Sequence, residues 1–259
     1  MKRLLGTLLC LFALSLLGTM SSAAEKTYQL VLLRHGESTW NKEHRFTGWA
    51  DVPLTEKGEN GAFRAGELMK EAGLSIDAVY TSRLGRAIKT AWLALEGMER
   101  MWVPVNNVWW LNERCYGDLE GKTYDEVTAD KGEEQMKIWR RSFDVPPPPF
   151  PKGDPRSPLA DARYSDVPPF LLPEGESLEL VIARLEPYWN TVLVPEIYSG
   201  RKIMIAGHST ALRALSKHID PSLDEEALSK LEISNSTPIV YILDENLRPV
   251  SRTVLGGKK

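Results

Sequence analysis

Tyr28-Gln29-Leu30-Val31-Leu32-Leu33-Arg34-His35-Gly36-Glu37 is the stretch on which the reading of this chain turns. An apolar run of strand length, Tyr28 to Leu33, ends abruptly in a guanidinium, an imidazole and a glycine. In an open α/β sheet, ligands sit at the carboxyl end of a strand. An arginine and a histidine placed there can attack phosphorus while cancelling its charge, so the stretch points to phosphoryl chemistry.

Outward from that run, strand and helix signals alternate. Thr55 can cap a helix to about Ala72, with Phe63, Leu68 and Met69 on its buried side. Ala78–Thr81 reads as a second strand, and Arg83–Glu96 has helical periodicity through Leu84, Ile88 and Trp92. Val103–Leu111 is a third strand candidate. Ser177 can cap a long helix to about Trp189; Ile203–Ala206 is a short buried strand, followed by a helix from Thr210 to His218. Pro238–Leu243 closes the series. Strands alternating with helices predict an α/β three-layer sandwich, a mostly parallel central sheet with helices on both faces. One segment breaks the rhythm: residues 144–173 hold 10 of the 17 prolines and can be neither helix nor central strand. Phe143, Phe150, Tyr164, Phe170 and Leu171 in and beside it predict an ordered loop packed over the domain edge rather than a linker.

The first 24 of the 259 residues have the pattern of a signal peptide: basic Lys2 and Arg3, apolar Leu4 to Leu17, then small Ser22-Ala23-Ala24. An uncleaved anchor is the alternative, but the apolar core is short for a spanning helix. Cleavage would leave residues 25–259 as one domain, exported to the periplasm or medium, with no stable membrane insertion. The formal charge of −3 would become −5, with 30 basic against 35 acidic residues, which gives no support for nucleic-acid binding. Cys115 would be the one remaining cysteine, so no internal disulfide is available and stability must come from the core.

His35 comes first among the candidate histidines along the chain. Gly36 lets a substrate approach the backbone, and a neutral imidazole at a strand end is a competent nucleophile toward phosphorus. His208, in Ile205-Ala206-Gly207-His208-Ser209, repeats that context, so two histidines can meet at one cleft. The second would serve phosphoryl oxygens as charge builds. Arg86, Arg114, Arg140 and Arg141 supply guanidinium groups suited to bidentate binding of phosphate and carboxylate. Glu113, among these arginines, is a candidate proton carrier. No metal-ligand spacing and no Walker-type loop is present.

Leu33-Arg34-His35-Gly36-Glu37-Ser38 resembles the signature of the histidine phosphatase superfamily. Trp40-Asn41-Lys42-Glu43, Arg45-Phe46-Thr47-Gly48-Trp49, Leu111-Asn112-Glu113-Arg114, Tyr116-Gly117, Trp139-Arg140-Arg141 and Leu212-Arg213-Ala214-Leu215 narrow the resemblance to the cofactor-dependent phosphoglycerate mutases. It covers about residues 28–256, proline segment included. The resemblance implies a phosphoglycerate mutase-like fold and the interconversion of 3-phosphoglycerate and 2-phosphoglycerate. His35 would become phosphohistidine, primed by 2,3-bisphosphoglycerate, with no metal. Arg34, Arg86 and His208 would surround the moving phosphoryl group, with Asn41 and Ser38 nearby, and Glu113 would be general acid and base. Thr47, Gly48, Arg114, Tyr116, Arg140, Arg141, Ser209 and Thr210 would bind the rest of the substrate. The binding lysine of the mutases falls at Tyr124, with Lys122 close enough to substitute.

The chain departs from the mutases in Ser209-Thr210-Ala211 where Gly-Asn-Ser is usual, in Cys115 where histidine is usual, and in a tail shorter than theirs. A cleft without a lid would admit water to phosphohistidine. An exported phosphomonoesterase on the same site is therefore the second expectation, and a catalytically weak phospho-ligand binding protein the third. Similar mutases assemble as homodimers or homotetramers; the substrate is the other partner implied.

Overall fold

A computed structural model describes residues 26–256. The expected signal peptide, residues 1–24, lies outside the described residues. Among the described residues six strands form one sheet: β1 (Tyr28–Arg34), β2 (Ala78–Thr81), β3 (Val105–Asn107), β4 (Ile203–Gly207), β5 (Pro238–Leu243) and β6 (Pro249–Val254). Their order is β3-β2-β4-β1-β5-β6. The first four run parallel, while β5 pairs antiparallel with β1 and β6 with β5. The helices are α1 (Thr39–Lys42), α2 (Glu56–Glu71), α3 (Gly85–Gly97), α4 (Tyr124–Lys131), α5 (Glu133–Arg141), α6 (Leu178–Tyr188), α7 (Val194–Tyr198), α8 (Ser209–Ile219) and α9 (Glu225–Lys230).

Strand alternation builds the layers. Successive side chains point to opposite faces, so Leu30 and Leu32 of β1 go one way and Val31 and Leu33 the other. Leu30 and Leu32 join Ile203, Ile205 and Tyr241 in a core roofed by Val181, Leu185, Leu212 and Leu215 of α6 and α8. Val31 and Leu33 join Val79, Met204 and Val240 against Ala65, Met69, Ala91 and Ala94 of α2 and α3. Both faces are covered over β1, β2, β4 and β5, which is why those strands read as largely apolar runs. The α/β sandwich expected from the sequence is what the chain adopts, with a mixed sheet.

Several local expectations fail for physical reasons. Phe63 is exposed and Leu68 half-buried; α2 buries Met69, as expected, together with Ala62, Ala65 and Gly66. On α3, Trp92 is exposed and Ile88 half-buried, while Ala87, Thr90, Ala91 and Ala94 face inward. The two helices pack so closely that only small residues fit between them: a Cβ on Gly66 would lie 2.1 Å from the Ala94 carbonyl oxygen. Large side chains are left at the rim. β3 is shorter than expected, because Trp109–Leu111 turns into a 3₁₀ segment. β6 went unrecognised because nearly all of it is exposed at the sheet edge and carries no apolar run.

The proline segment is ordered, as expected. Phe150, Tyr164 and Val167 pack with Trp49, Trp109 and Cys115 in a satellite core, and Phe143 packs against the main one. Phe170 and Leu171 instead stand exposed, Phe170 at 85%, on a short turn that opens at Pro169. Among the described residues no helix is long and apolar enough to cross a membrane.

Gly66→Ala tests the α2–α3 contact. Helix propensity alone would favour alanine by about 1 kcal/mol. The clash with backbone should outweigh this, by the ~1–3 kcal/mol typical of overpacking, and lower the urea midpoint. A raised midpoint would contradict the contact.

Candidate active site

The register of β1 against β4 pairs Leu33 with Ala206 and Arg34 with Gly207, so both strands end level. The next residues are the two histidines. His35 N–H donates to Gly207 O at 2.9 Å, and the imidazole rings sit 5.1 Å apart at 56°. Gly36 has no room for a side chain, since a Cβ would lie 2.2 Å from Gly58 O. Its N–H donates to Thr90 Oγ1 at 3.0 Å, and Asn235 Nδ2 donates to His35 O at 2.7 Å.

His35 Nδ1 lies 2.7 Å from Gly36 O. A carbonyl only accepts, so this contact places the proton of the neutral ring on Nδ1 and leaves the Nε2 lone pair free. His208 is wholly buried; Ser82 Oγ holds its Nε2 at 2.7 Å, and its Nδ1 has no partner among the described residues. Burial, with Arg86 as the next cause, pulls both imidazoles well below their ordinary value near 6.5. Both are neutral at pH 7.

Arg86 opens α3 and is buried. Its Nη1 and Nη2 donate to Ala50 O at 2.9 Å and Gly48 O at 2.8 Å. Burial lowers its pKa to about 10, which keeps it cationic. Arg34 donates to Ile233 O at 2.8 Å. Glu113 Oε1 accepts from Arg114 N at 2.8 Å and from Thr210 N, in the first turn of α8, at 3.1 Å. The Glu113 carbonyl is fixed by Trp49 Nε1 at 2.6 Å and Arg184 Nη2 at 3.2 Å. Arg184 forms a buried pair with Glu176 at 2.7 Å.

His35, Arg34, Arg86 and Glu113 line one cavity of about 260 Å³, together with Asn41, Thr47, Gly48, Tyr116, Arg140, Arg141, Ser209 and Thr210. His208, fully buried, does not line it, although its ring is 5.1 Å from that of His35. Three expected residues are elsewhere. Ser38 caps α1, accepting from Asn41 N at 3.2 Å. Arg114 stacks on Tyr116 and donates to Trp139 O at 2.8 Å and Arg140 O at 3.1 Å, so it anchors the end of α5 instead of lining the cavity. Lys122 is drawn to Asp118, at 2.8 Å, and lines a different surface pocket. Cys115 is an apolar core residue, its thiol pushed up by burial.

Sequence reasoning missed Arg45, Phe46, Tyr124, Arg213 and Glu232–Ser234 as lining groups. Arg213 could have been found: on a helix starting at the β4 end it falls one turn after Ser209, to which it donates at 3.1 Å. Residues 232–234 carry no local signal.

The charge balance of the cavity is one-sided. Among the described residues, no ion pair joins Arg34, Arg86, Arg140, Arg141 or Arg213 to a carboxylate. The Nε atoms of Arg34, Arg86 and Arg213 are buried with no hydrogen-bond partner among the described residues. Leaving a buried donor unmatched costs roughly 1–3 kcal/mol, so such groups mark a site for an anion with several acceptor oxygens. Among the described residues no three His, Cys, Asp or Glu side chains cluster as metal ligands.

Residues 30–162 match the family described as the histidine phosphatase superfamily, branch 1, and the chain belongs to it. Solved structures share the fold. A mycobacterial glucosyl-3-phosphoglycerate phosphatase, complexed with VO3, is 25% identical, with 83% of this chain and 92% of that one covered, at a TM-score of 0.63. A Bacillus anthracis phosphoglycerate mutase is 24% identical over 89% and 92%, at 0.61. A Shigella flexneri alpha-ribazole phosphatase is 21% identical over 88% and 96%, at 0.64.

The neutral histidines have a thermodynamic consequence. Below about pH 6.5 the unfolded chain protonates them and the folded chain does not, so stability is retained above that pH and lost as pH falls. The loss is up to about 1.4 kcal/mol per pH unit for each histidine. Glu120, pushed up to about 7 by burial, contributes with the opposite sign, since its stabilisation is lost as pH rises from 4.5. Comparing variants removes that term. His208→Asn should flatten the loss between pH 6.5 and 5 in urea unfolding; unchanged slopes would mean that His208 is not held neutral.

Proposed function

We propose that this superfamily member moves phosphoryl groups through a covalent phosphohistidine at His35, and that its reaction is the interconversion of 3-phosphoglycerate and 2-phosphoglycerate primed by 2,3-bisphosphoglycerate. The observation that carries the reading is the second set of unpaired cations, Arg140, Arg141 and Arg213, in the same small cavity as His35, Arg34 and Arg86. A simple phosphomonoester needs one cationic pocket. A phosphoglycerate carries a carboxylate as well, and a bisphosphate carries two dianions.

The residues divide the work. His35 Nε2 forms the bond to phosphorus as the bond from phosphorus to the substrate oxygen breaks. Glu113 gives that oxygen its proton, then takes one from the hydroxyl that receives the phosphoryl group in the return step. Arg34, Arg86 and the free Nδ1 of His208 serve the equatorial oxygens, where charge builds. Thr47, Gly48 and Tyr116 border the same space and orient the substrate. The bisphosphate supplies the first phosphoryl group, and the cationic lining suits it. The scheme calls on no metal. The proposal includes export, on the strength of residues 1–24, and leaves assembly as a homodimer or homotetramer as part of the same expectation.

A second reading, a phosphomonoesterase whose phosphohistidine is released to water, is favoured by Lys122. That side chain pairs with Asp118, and Tyr124, at the position of the mutase lysine, lies under Arg140 at 4.3 Å. A weak binding protein would have no use for the fixed carboxylate of Glu113.

Purified protein given 3-phosphoglycerate should yield 2-phosphoglycerate only when catalytic 2,3-bisphosphoglycerate is added. Phosphate release without isomer would remove the mutase and leave the phosphatase, and absence of both products would leave a binding protein. His35→Ala should abolish the acid-labile phosphoenzyme and lower turnover by at least about 10³-fold, as loss of a nucleophile does.

A further inference from the structure

We propose that Glu120 is a positioning residue for phosphoryl transfer: by gripping the backbone of Gly48-Trp49-Ala50 from behind, it aims the Arg86 guanidinium into the cavity. This rests on reading the cavity as a phosphoryl-transfer site. Glu120 is buried and does not line that cavity. Its Oε1 accepts from Trp49 N at 2.9 Å and Tyr116 N at 3.1 Å, and its Oε2 accepts from Ala50 N at 3.2 Å.

The same short loop presents its carbonyls to Arg86. Gly48 O and Ala50 O take the two terminal guanidinium nitrogens, at 2.8 and 2.9 Å. The Gly48–Trp49 peptide is thus held at both ends, its N–H on the carboxylate and its C=O on the guanidinium. Bonds in such a chain polarise one another, the more so out of water. Among the described residues no carboxylate pairs with Arg86 and no hydrogen-bond acceptor meets its Nε. Its direction therefore depends on those two carbonyls. Gly48 lies at φ +52°, and a Cβ there would fall 1.8 Å from Glu120 Oε1, so the loop can meet the carboxylate only with glycine at this point. Trp49, in the same loop, also holds the Glu113 carbonyl, which ties the grip to the proton carrier.

Removing the grip should weaken transition-state binding more than substrate binding, because it misdirects a group that meets the charge built during transfer. Glu120→Gln keeps the size but turns one acceptor into a donor that faces an N–H. The probe is acid-labile phosphoenzyme formation from p-nitrophenyl phosphate, with orthovanadate binding alongside. Glu120→Gln should lower the rate by about 10-fold or more, weaken vanadate by a similar factor, and change the half-saturating substrate concentration by less than about threefold.

A double-mutant cycle with Arg86→Lys decides whether the effect runs through Arg86. On this account the double variant is within about threefold of Arg86→Lys alone; fully multiplied effects would overturn it. Glu120→Asp keeps the charge but withdraws both oxygens from the loop, and should give the same split between rate and half-saturation. Should Glu120→Gln not fold, Glu120→Asp takes its place in the cycle and the same criterion applies. If wild type forms phosphoenzyme but neither substitution alters rate or vanadate binding, the inference falls alone. If wild type forms none, the reading of the cavity falls with it.

Discussion

Parallel pairing of β1 with β4 is the constraint from which the site follows. The hydrogen bond from His35 N to Gly207 O, at 2.9 Å, continues the ladder one residue past the strand and sets the two imidazoles side by side. β4 enters the sheet between β1 and β2, although it comes more than a hundred residues later in the chain. That crossover gathers three strand ends at one crevice, where an open α/β sheet binds its ligands. Register errors are not tolerated there: a slip of one residue would send Leu30, Leu32, Ile203 and Ile205 to the wrong face.

Electrostatics then divides the buried groups by type. Guanidinium groups tolerate burial while staying charged, and they line the cavity without carboxylate partners. Imidazoles do not, and under the same cations they stay neutral. One field thus produces both an anion receptor and an unprotonated nucleophile. The cost lies in the unmatched arginine donors, and an anionic ligand relieves it. The carboxylates that are present are held in place by backbone amides, as Glu113 and Glu120 show.

The central strands and their layers were legible in the sequence because buried strands are written as apolar runs, unlike exposed β6, and helices α2 and α6 because Thr55 and Ser177 cap them as expected. The inward faces of α2 and α3 were not legible. Close packing there uses Gly66 and Ala94, which carry little hydrophobic signal, while the more conspicuous Phe63 and Trp92 are pushed outward. His35, Arg34, Arg86 and Glu113 could be found because chemistry-bearing residues follow strand ends. Arg213 and residues 232–234 reach the cavity through tertiary packing alone. Lys122 shows the converse limit: proximity in sequence placed it near the site, but an acidic neighbour four residues earlier captured it.

The central claim is that His35 attacks through Nε2 because Nδ1 is committed to the Gly36 carbonyl. Phosphorus–nitrogen correlation NMR of the ¹⁵N-histidine-labelled phosphoenzyme tests it directly. The account predicts one phosphorylated imidazole, lost in His35→Ala, with phosphorus bonded to Nε2. Phosphorus on Nδ1, or on the ring of His208, would contradict it.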